Sequence, residues 1–128
     1  MRRHALLAVS ALSLAACTVM APQPPQTFVV FFTPYSAALD IPAETVITTA
    51  AKTAADRPTA VVHVVGFASP VGGAAVNDPL SQTRAQVVVN QLVQDGVDGA
   101  RITVEARGPT DVKLSDVEAR RVEIQVGP

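Results

Sequence analysis

The sequence predicts an α+β domain of order β-α-β-α-β-β, with two helices packed on one face of a mixed four-stranded sheet. Three observations carry this. Four short runs are rich in β-branched residues, at Phe28 to Phe32, Ala60 to Gly66, Ile102 to Arg107 and Val122 to Val126. Apolar residues at helical spacing fill the two intervals that separate the first three runs. The last two runs alternate apolar with polar residues, which is the pattern of strands covered on one face only, so the helices share one side.

Taken in order, Phe28 to Phe32 is broken by Thr33-Pro34-Tyr35-Ser36. Val46, Ile47, Ala50, Ala51 and Ala54 then mark a helix, with Asp40 as its N-cap and Pro42 tolerated in the first turn. Arg57-Pro58 stops it. The nearly unbroken valines between Ala60 and Gly66 predict a central strand. A Gly/Pro-rich loop is predicted from there to Pro79, and a second helix opening at Leu80-Ser81. Its buried face is Ala85, Val88, Val89, Leu92 and Val93, and Gly96 suits the left-handed position beyond its end. Ile102, Val104 and Ala106, then Val122, Ile124 and Val126, are the inward positions of the last two strands.

About 100 residues follow Thr27, enough for one core and not for two. Ahead of them, Met1-Arg2-Arg3-His4 is a short basic start, Ala5 to Leu14 is apolar but too short to span a bilayer, and Leu14-Ala15-Ala16-Cys17 closes the stretch. Residues 1–16 read as a lipoprotein signal peptide and 17–27, Pro-rich, as a tether. The sole cysteine has no disulfide partner. Loss of Arg2 and Arg3 with the leader takes the basic count from 10 to 8 against 11 acidic residues, and the net charge from −1 to −3. Such a balance gives no footing to nucleic acid.

Catalysis and metal binding find little support. Ser69 lacks a nucleophile-elbow setting, His63 is a single imidazole once His4 leaves with the signal, and Gly72-Gly73 precede no Walker lysine. The expectation is no enzyme, no metal and no cofactor. The informative residue is Arg84. With Ser81 as N-cap it would stand at the third helical position, opposing the helix dipole by roughly 0.3–1 kcal/mol beside free backbone N–H groups, a setting for an anion. A surface ion pair with Asp78 is the plainer alternative.

The run GFASPVG from Gly66, then Asn77, then Leu80-Ser81 with Arg84-Ala85, then Gly96-Val97 and a closing Arg120-Arg121-Val122-Glu123, resembles the OmpA-like peptidoglycan-binding domain. The likeness spans Phe28 to Val126, which sets the domain at 28–128. It implies that Cys17 is acylated, that Thr18 after it directs the protein to the periplasmic face of the outer membrane, and that the partner is peptidoglycan. In that family a loop aspartate and a helix arginine grip the diaminopimelate of the stem peptide. The resemblance therefore implies ligand-binding roles for Ser69, Asn77, Leu80 and Arg84. Ser69 stands where the family has its aspartate, fifteen positions before Arg84. Weakened wall binding is expected, strengthened by an acid at position 69, with Arg84 dispensable for folding. The alternative is an envelope scaffold that keeps the fold and docks onto another envelope protein.

Overall fold

A computed structural model describes residues 20–71, 73–109 and 115–128. The leader and Cys17 lie outside the described residues, as does Gly72. The elements are β1 (Gln26–Phe31), α1 (Ile41–Ala55), β2 (Val62–Ala68), α2 (Ala74–Gln94), a single 3-10 turn (Gly99–Arg101), β3 (Ile102–Pro109), α3 (Asp116–Ala119) and β4 (Arg121–Val126). The sheet runs β1-β4-β2-β3, with β4 antiparallel to both β1 and β2 and β3 parallel to β2. The predicted mixed four-stranded sheet with two main helices is what forms. α3, a single turn between β3 and β4, is an addition.

Local chemistry explains most boundaries. Asp40 caps α1 by accepting the Ala43 N–H at 2.8 Å, and Pro42 occupies the first turn, where its missing N–H costs nothing. α2 ends as expected, with Gly96 at φ 100°. β2 is flanked on both sides and buried at every position except His63, as its valines require.

The core lies between the sheet and the helices. Val30, Val62, Val64, Val122, Ile124 and Val126 from the strands meet Ile47, Ala50 and Ala54 of α1 and Ala85, Val88 and Leu92 of α2. The alanines let α1 approach the sheet closely, while each buried Val, Ile or Leu contributes about 1.5–3 kcal/mol. β3 departs from the expected alternation: Val104 is 55% exposed although it pairs with the fully buried Val64. β3 is an edge strand, with a neighbour on one side only.

α2 differs more. It begins six residues before Leu80, after Gly73 at φ 86°, and carries Pro79 in its interior. Arg84 is consequently far from the helix start, and the expected anion site at a helix N-terminus does not exist there. Ser81 is no cap; it is fully buried, and its hydroxyl donates to the Asp78 carbonyl at 2.9 Å. Gly66 explains why this half of α2 can sit so low: a Cβ there would collide with the Ser81 carbonyl oxygen and lie 3.1 Å from the Ala85 Cβ. The strand and the helix touch backbone to backbone.

Candidate functional site

The stripe of α2 that faces inward is Asn77, Ser81, Arg84, Val88 and Leu92, at spacings of three and four. Its C-terminal half is apolar and joins the core, whereas its N-terminal half is polar and yet equally closed to water. Asn77 is 3% exposed, and Arg84 at 1% is the largest fully buried side chain described. Polar groups in such a place need partners. Asn77 Nδ2 donates to the Val71 carbonyl at 2.8 Å, pinning the loop after β2. Arg84 donates from Nε to the Ser36 carbonyl at 2.8 Å and from Nη2 to the Thr33 carbonyl at 3.0 Å, with its guanidinium 5.2 Å from the centre of the Phe32 ring.

Arg84 thus holds the rim loop 33–36, in which Tyr35 adopts φ 55°, a conformation that costs energy for a non-glycine residue. The expected surface pair with Asp78 is absent: Asp78 lies against Gly108 instead. Nor is Arg84 dispensable for folding on this geometry, because removing it would release the 33–36 loop and empty a large buried volume.

One face of Arg84 is unspent. Its Nη1 donates to no described residue, and the side chain lines a cavity of about 260 Å³ shared with Pro34, Tyr35, Ser69, Val71, Asn77, Leu80, Asp116 and Arg120. The four residues singled out in the sequence, Ser69, Asn77, Leu80 and Arg84, are therefore brought together. Asp116 and Arg120 were not anticipated as site residues.

Asp116 is the first residue of α3. Ser115 Oγ accepts the Glu118 N–H while Glu118 reaches back to the Ser115 N–H, so this single turn is closed by a full capping box. The S-x-x-E pattern was legible in the sequence. What the pattern does not encode is where Asp116 points, which depends on the chain meeting β2 across the sheet end. Its carboxylate accepts from Ser69 Oγ on one oxygen and from Arg120 Nη1 on the other. Arg120 also donates from Nε to the Phe32 carbonyl at 3.2 Å, and it is buried.

Ser69 is fully engaged as a donor. Its hydroxyl hydrogen goes to Asp116, and the same oxygen accepts the Val71 N–H at 3.1 Å. The hydrogen bond from Ser69, then the charge of Arg120 and the more distant charge of Arg84, hold the Asp116 carboxyl below the ordinary carboxylate range. Burial, and then the like charge of Arg120, lower the pKa of Arg84, with Asp116 opposing them. It stays a cation at neutral pH. The cavity therefore presents two guanidinium groups and one carboxylate at a half-open mouth, an arrangement that suits a ligand carrying both signs.

Other chemistry is not assembled. His63 meets Thr103 at 2.5 Å on the exposed side of the sheet, away from Ser69. Among the described residues no group of three or more His, Cys, Asp or Glu side chains could hold a metal ion, and no helix is long and apolar enough to cross a membrane.

Comparisons with known proteins agree with this fold. The OmpA-like domain of FopA1 from Francisella tularensis superposes with a TM-score of 0.73 at 24% identity, covering 81% of this chain and 73% of that one. The peptidoglycan-associated lipoprotein from Burkholderia pseudomallei gives 0.69 at 20% identity, covering 77% and 89%. At such identities these likenesses show the fold. In sequence, the "Probable lipoprotein YiaD" of Escherichia coli (strain K12) is 37% identical over 79 residues, 57% of this chain and 36% of that protein. "Outer membrane protein A" of Shimwellia blattae is 40% identical over 50 residues, 39% and 21%. The chain thus matches little more than a third of the first relative's length and about a fifth of the second's. The profile of the OmpA family matches residues 31–123, nearly all of the folded part, and the chain belongs to that family.

Proposed function

We propose that this protein is a lipoprotein acylated at Cys17, anchored in the outer membrane on its periplasmic face, whose domain at 28–128 binds peptidoglycan non-covalently. The cavity at the C-terminal end of β2 takes the diaminopimelate of the stem peptide. Residues 17–27 form a Pro-rich tether of about 30 Å at roughly 3.1 Å per residue, which keeps the domain close to its membrane.

The observation that carries the reading is Arg84 in the cavity lining, its guanidinium fixed by two backbone carbonyls and its Nη1 donating to none of the described residues. A rigid planar donor set with one unspent edge is a carboxylate receptor. Family membership and the likeness to a peptidoglycan-associated lipoprotein point the same way. If Ser69 alone met the ligand ammonium, affinity would be reduced, since a neutral hydrogen bond is about half as strong as a charge-assisted one. The carboxylate beside Ser69 alters that balance.

Co-sedimentation of the full chain, in detergent, with purified peptidoglycan tests the reading. Pelleting that free diaminopimelate reverses is the expected result. A chain that stays in the supernatant while remaining folded would leave an envelope scaffold docking onto another protein as the better description. Fatty-acid labelling that Cys17→Ser abolishes is expected for the anchor.

A further inference from the structure

We propose that the acid of this site is Asp116, supplied from α3, and that Ser69 positions it: the ligand ammonium meets the Asp116 carboxylate while the ligand carboxylate meets Arg84. The inference rests on the reading of the cavity as a stem-peptide site and names the group that completes it. The ligand class is an amino-acid centre with an ammonium and a carboxylate on one carbon.

Three observations lead there. First, the charges in the cavity are arranged as two poles. Without Asp116 the lining would hold two cations and select a plain anion; with it, the fully buried Arg84 and the half-exposed Asp116 carboxylate offer opposite charges, and a zwitterion satisfies both. Second, Ser69 cannot serve as the acceptor in its own right. Its hydrogen is donated to Asp116 and it already accepts the Val71 N–H, so its role is to orient a carboxylate. Third, Asp116 has capacity to spare. Each carboxylate oxygen has two acceptor sites; Ser69 and Arg120 take one on each, and the side chain remains 52% exposed. The depressed pKa of Asp116 keeps it ionised for that task at any neutral or mildly acidic pH.

Position 69 and position 116 are then complementary. A carboxylate at 69 would face the carboxylate of Asp116 across one hydrogen bond, and two like charges at that range cannot both stay ionised cheaply. The expectation that an acid at position 69 strengthens binding therefore changes sign: serine is the residue that an acid at 116 requires.

The test is calorimetric titration of the full chain in detergent with a diaminopimelate muropeptide and with the same muropeptide acetylated on its free amine. Wild type is expected to bind the first about tenfold more tightly than the second, the range between charged and neutral hydrogen bonds. Asp116→Asn should lose about that factor and no longer distinguish the two ligands. Ser69→Asp alone should weaken binding, and Ser69→Asp with Asp116→Asn should return to within about threefold of wild type. A wild type that distinguishes the ligands, with Asp116→Asn unchanged, overturns the assignment of the acid and leaves the wall reading standing. Ser69→Asp binding more tightly than wild type overturns it likewise. A wild type that binds neither muropeptide removes the wall reading and this inference with it.

Discussion

Arginines brace both ends of the central strand, and the two ends have different fates. At the start of β2, Arg101 donates from Nε to the Ala60 carbonyl and from Nη2 to the carbonyls of Ala54 and Arg57, stitching the end of α1 to the sheet. At the far end, Arg84 stitches the 33–36 loop to α2 in the same way. Both replace missing secondary-structure partners with charge-assisted bonds to carbonyls, and on that count they are equivalent braces. The difference is what lies beyond the guanidinium. Arg101 takes part in no salt bridge among the described residues, whereas Arg84 opens on a cavity that also holds Arg120 and Asp116. On the proposed function, what makes an arginine a receptor is that the fold fixes part of it beside a space of ligand size.

The largest effect is expected where that comparison is broken outright. Arg84→Ala removes two charge-assisted bonds to the 33–36 loop, the contact with the Phe32 ring and a fully buried side chain, which should cost about 3 kcal/mol of stability and abolish muropeptide binding. Arg101→Ala should cost about 1–2 kcal/mol, since the Arg101 side chain is itself only half-buried and leaves a space that water can enter, and leave binding intact. Denaturant unfolding with parallel titration separates the two. Equal loss of binding in both variants would show that Arg84 acts only as a brace.

The asymmetry also explains what could be read from the sequence. Elements whose signal is local were legible: the Asp40 cap, the Gly96 stop, the valines of β2 and the alternation of β4 all recur in the structure. The start of α2 was not, because Pro79 normally marks a first turn and the residues ahead of it look like a loop. Once α2 was read as opening at Leu80, the stripe Asn77-Ser81-Arg84 could not be seen, and a buried arginine looked like a surface one. Ser69, Asn77, Leu80 and Arg84, which line one cavity, are singled out as candidates by the family resemblance, which needs no helix boundary. Asp116 escaped for the opposite reason: it answers a serine 47 positions away, and no local pattern reports such a pairing.

A smaller effect should come from the contact that sets the height of α2. Gly66→Ala places a methyl against the Ser81 carbonyl, a backbone atom that cannot rotate away, so β2 and α2 must separate at about 2 kcal/mol. Only the Arg84 end moves with it. Thermal unfolding should show the loss, and muropeptide affinity should fall beyond what Arg101→Ala produces at similar stability.

Acid provides a further handle. Ser69 and Arg120 depress the Asp116 pKa in the folded state. For a depressed carboxylate the stabilisation is present above the unfolded value, about 3.9, and is lost as pH falls through the lower folded value. Wild type should therefore exceed Asp116→Asn in stability at pH 5 to 7 and lose that margin progressively as acid protonates the Asp116 carboxylate, below the ordinary carboxylate range. Glu118, held down by the Ser115 hydroxyl, and Glu105, held down by Arg107, titrate in the same direction, so the comparison with Asp116→Asn is needed to isolate the site. A margin that does not shrink at all in acid would mean that the side chain contributes through packing and not through charge.

The smallest predicted change concerns the turn that carries Asp116. α3 is one helical turn, too short to be stable by propensity, and its capping box joins Ser115 to Glu118 in both directions. Ser115→Ala removes the acceptor for the Glu118 N–H and the hydroxyl that Glu118 accepts from, worth about 1 kcal/mol locally. Global stability should barely change, because Ser115, Asp116, Val117 and Glu118 are all exposed and only Ala119 of this turn is buried. The consequence falls on orientation. A turn that frays part of the time presents Asp116 part of the time, and affinity drops in proportion to the competent fraction, here by about two- to fivefold. Hydrogen exchange at the Glu118 and Ala119 amides should rise with it. The Arg101 end, with no ligand group carried on a marginal element, has no counterpart to this variant: loosening there should change stability alone, and a Ser115→Ala chain that melts early while binding normally would erase the distinction between the two ends.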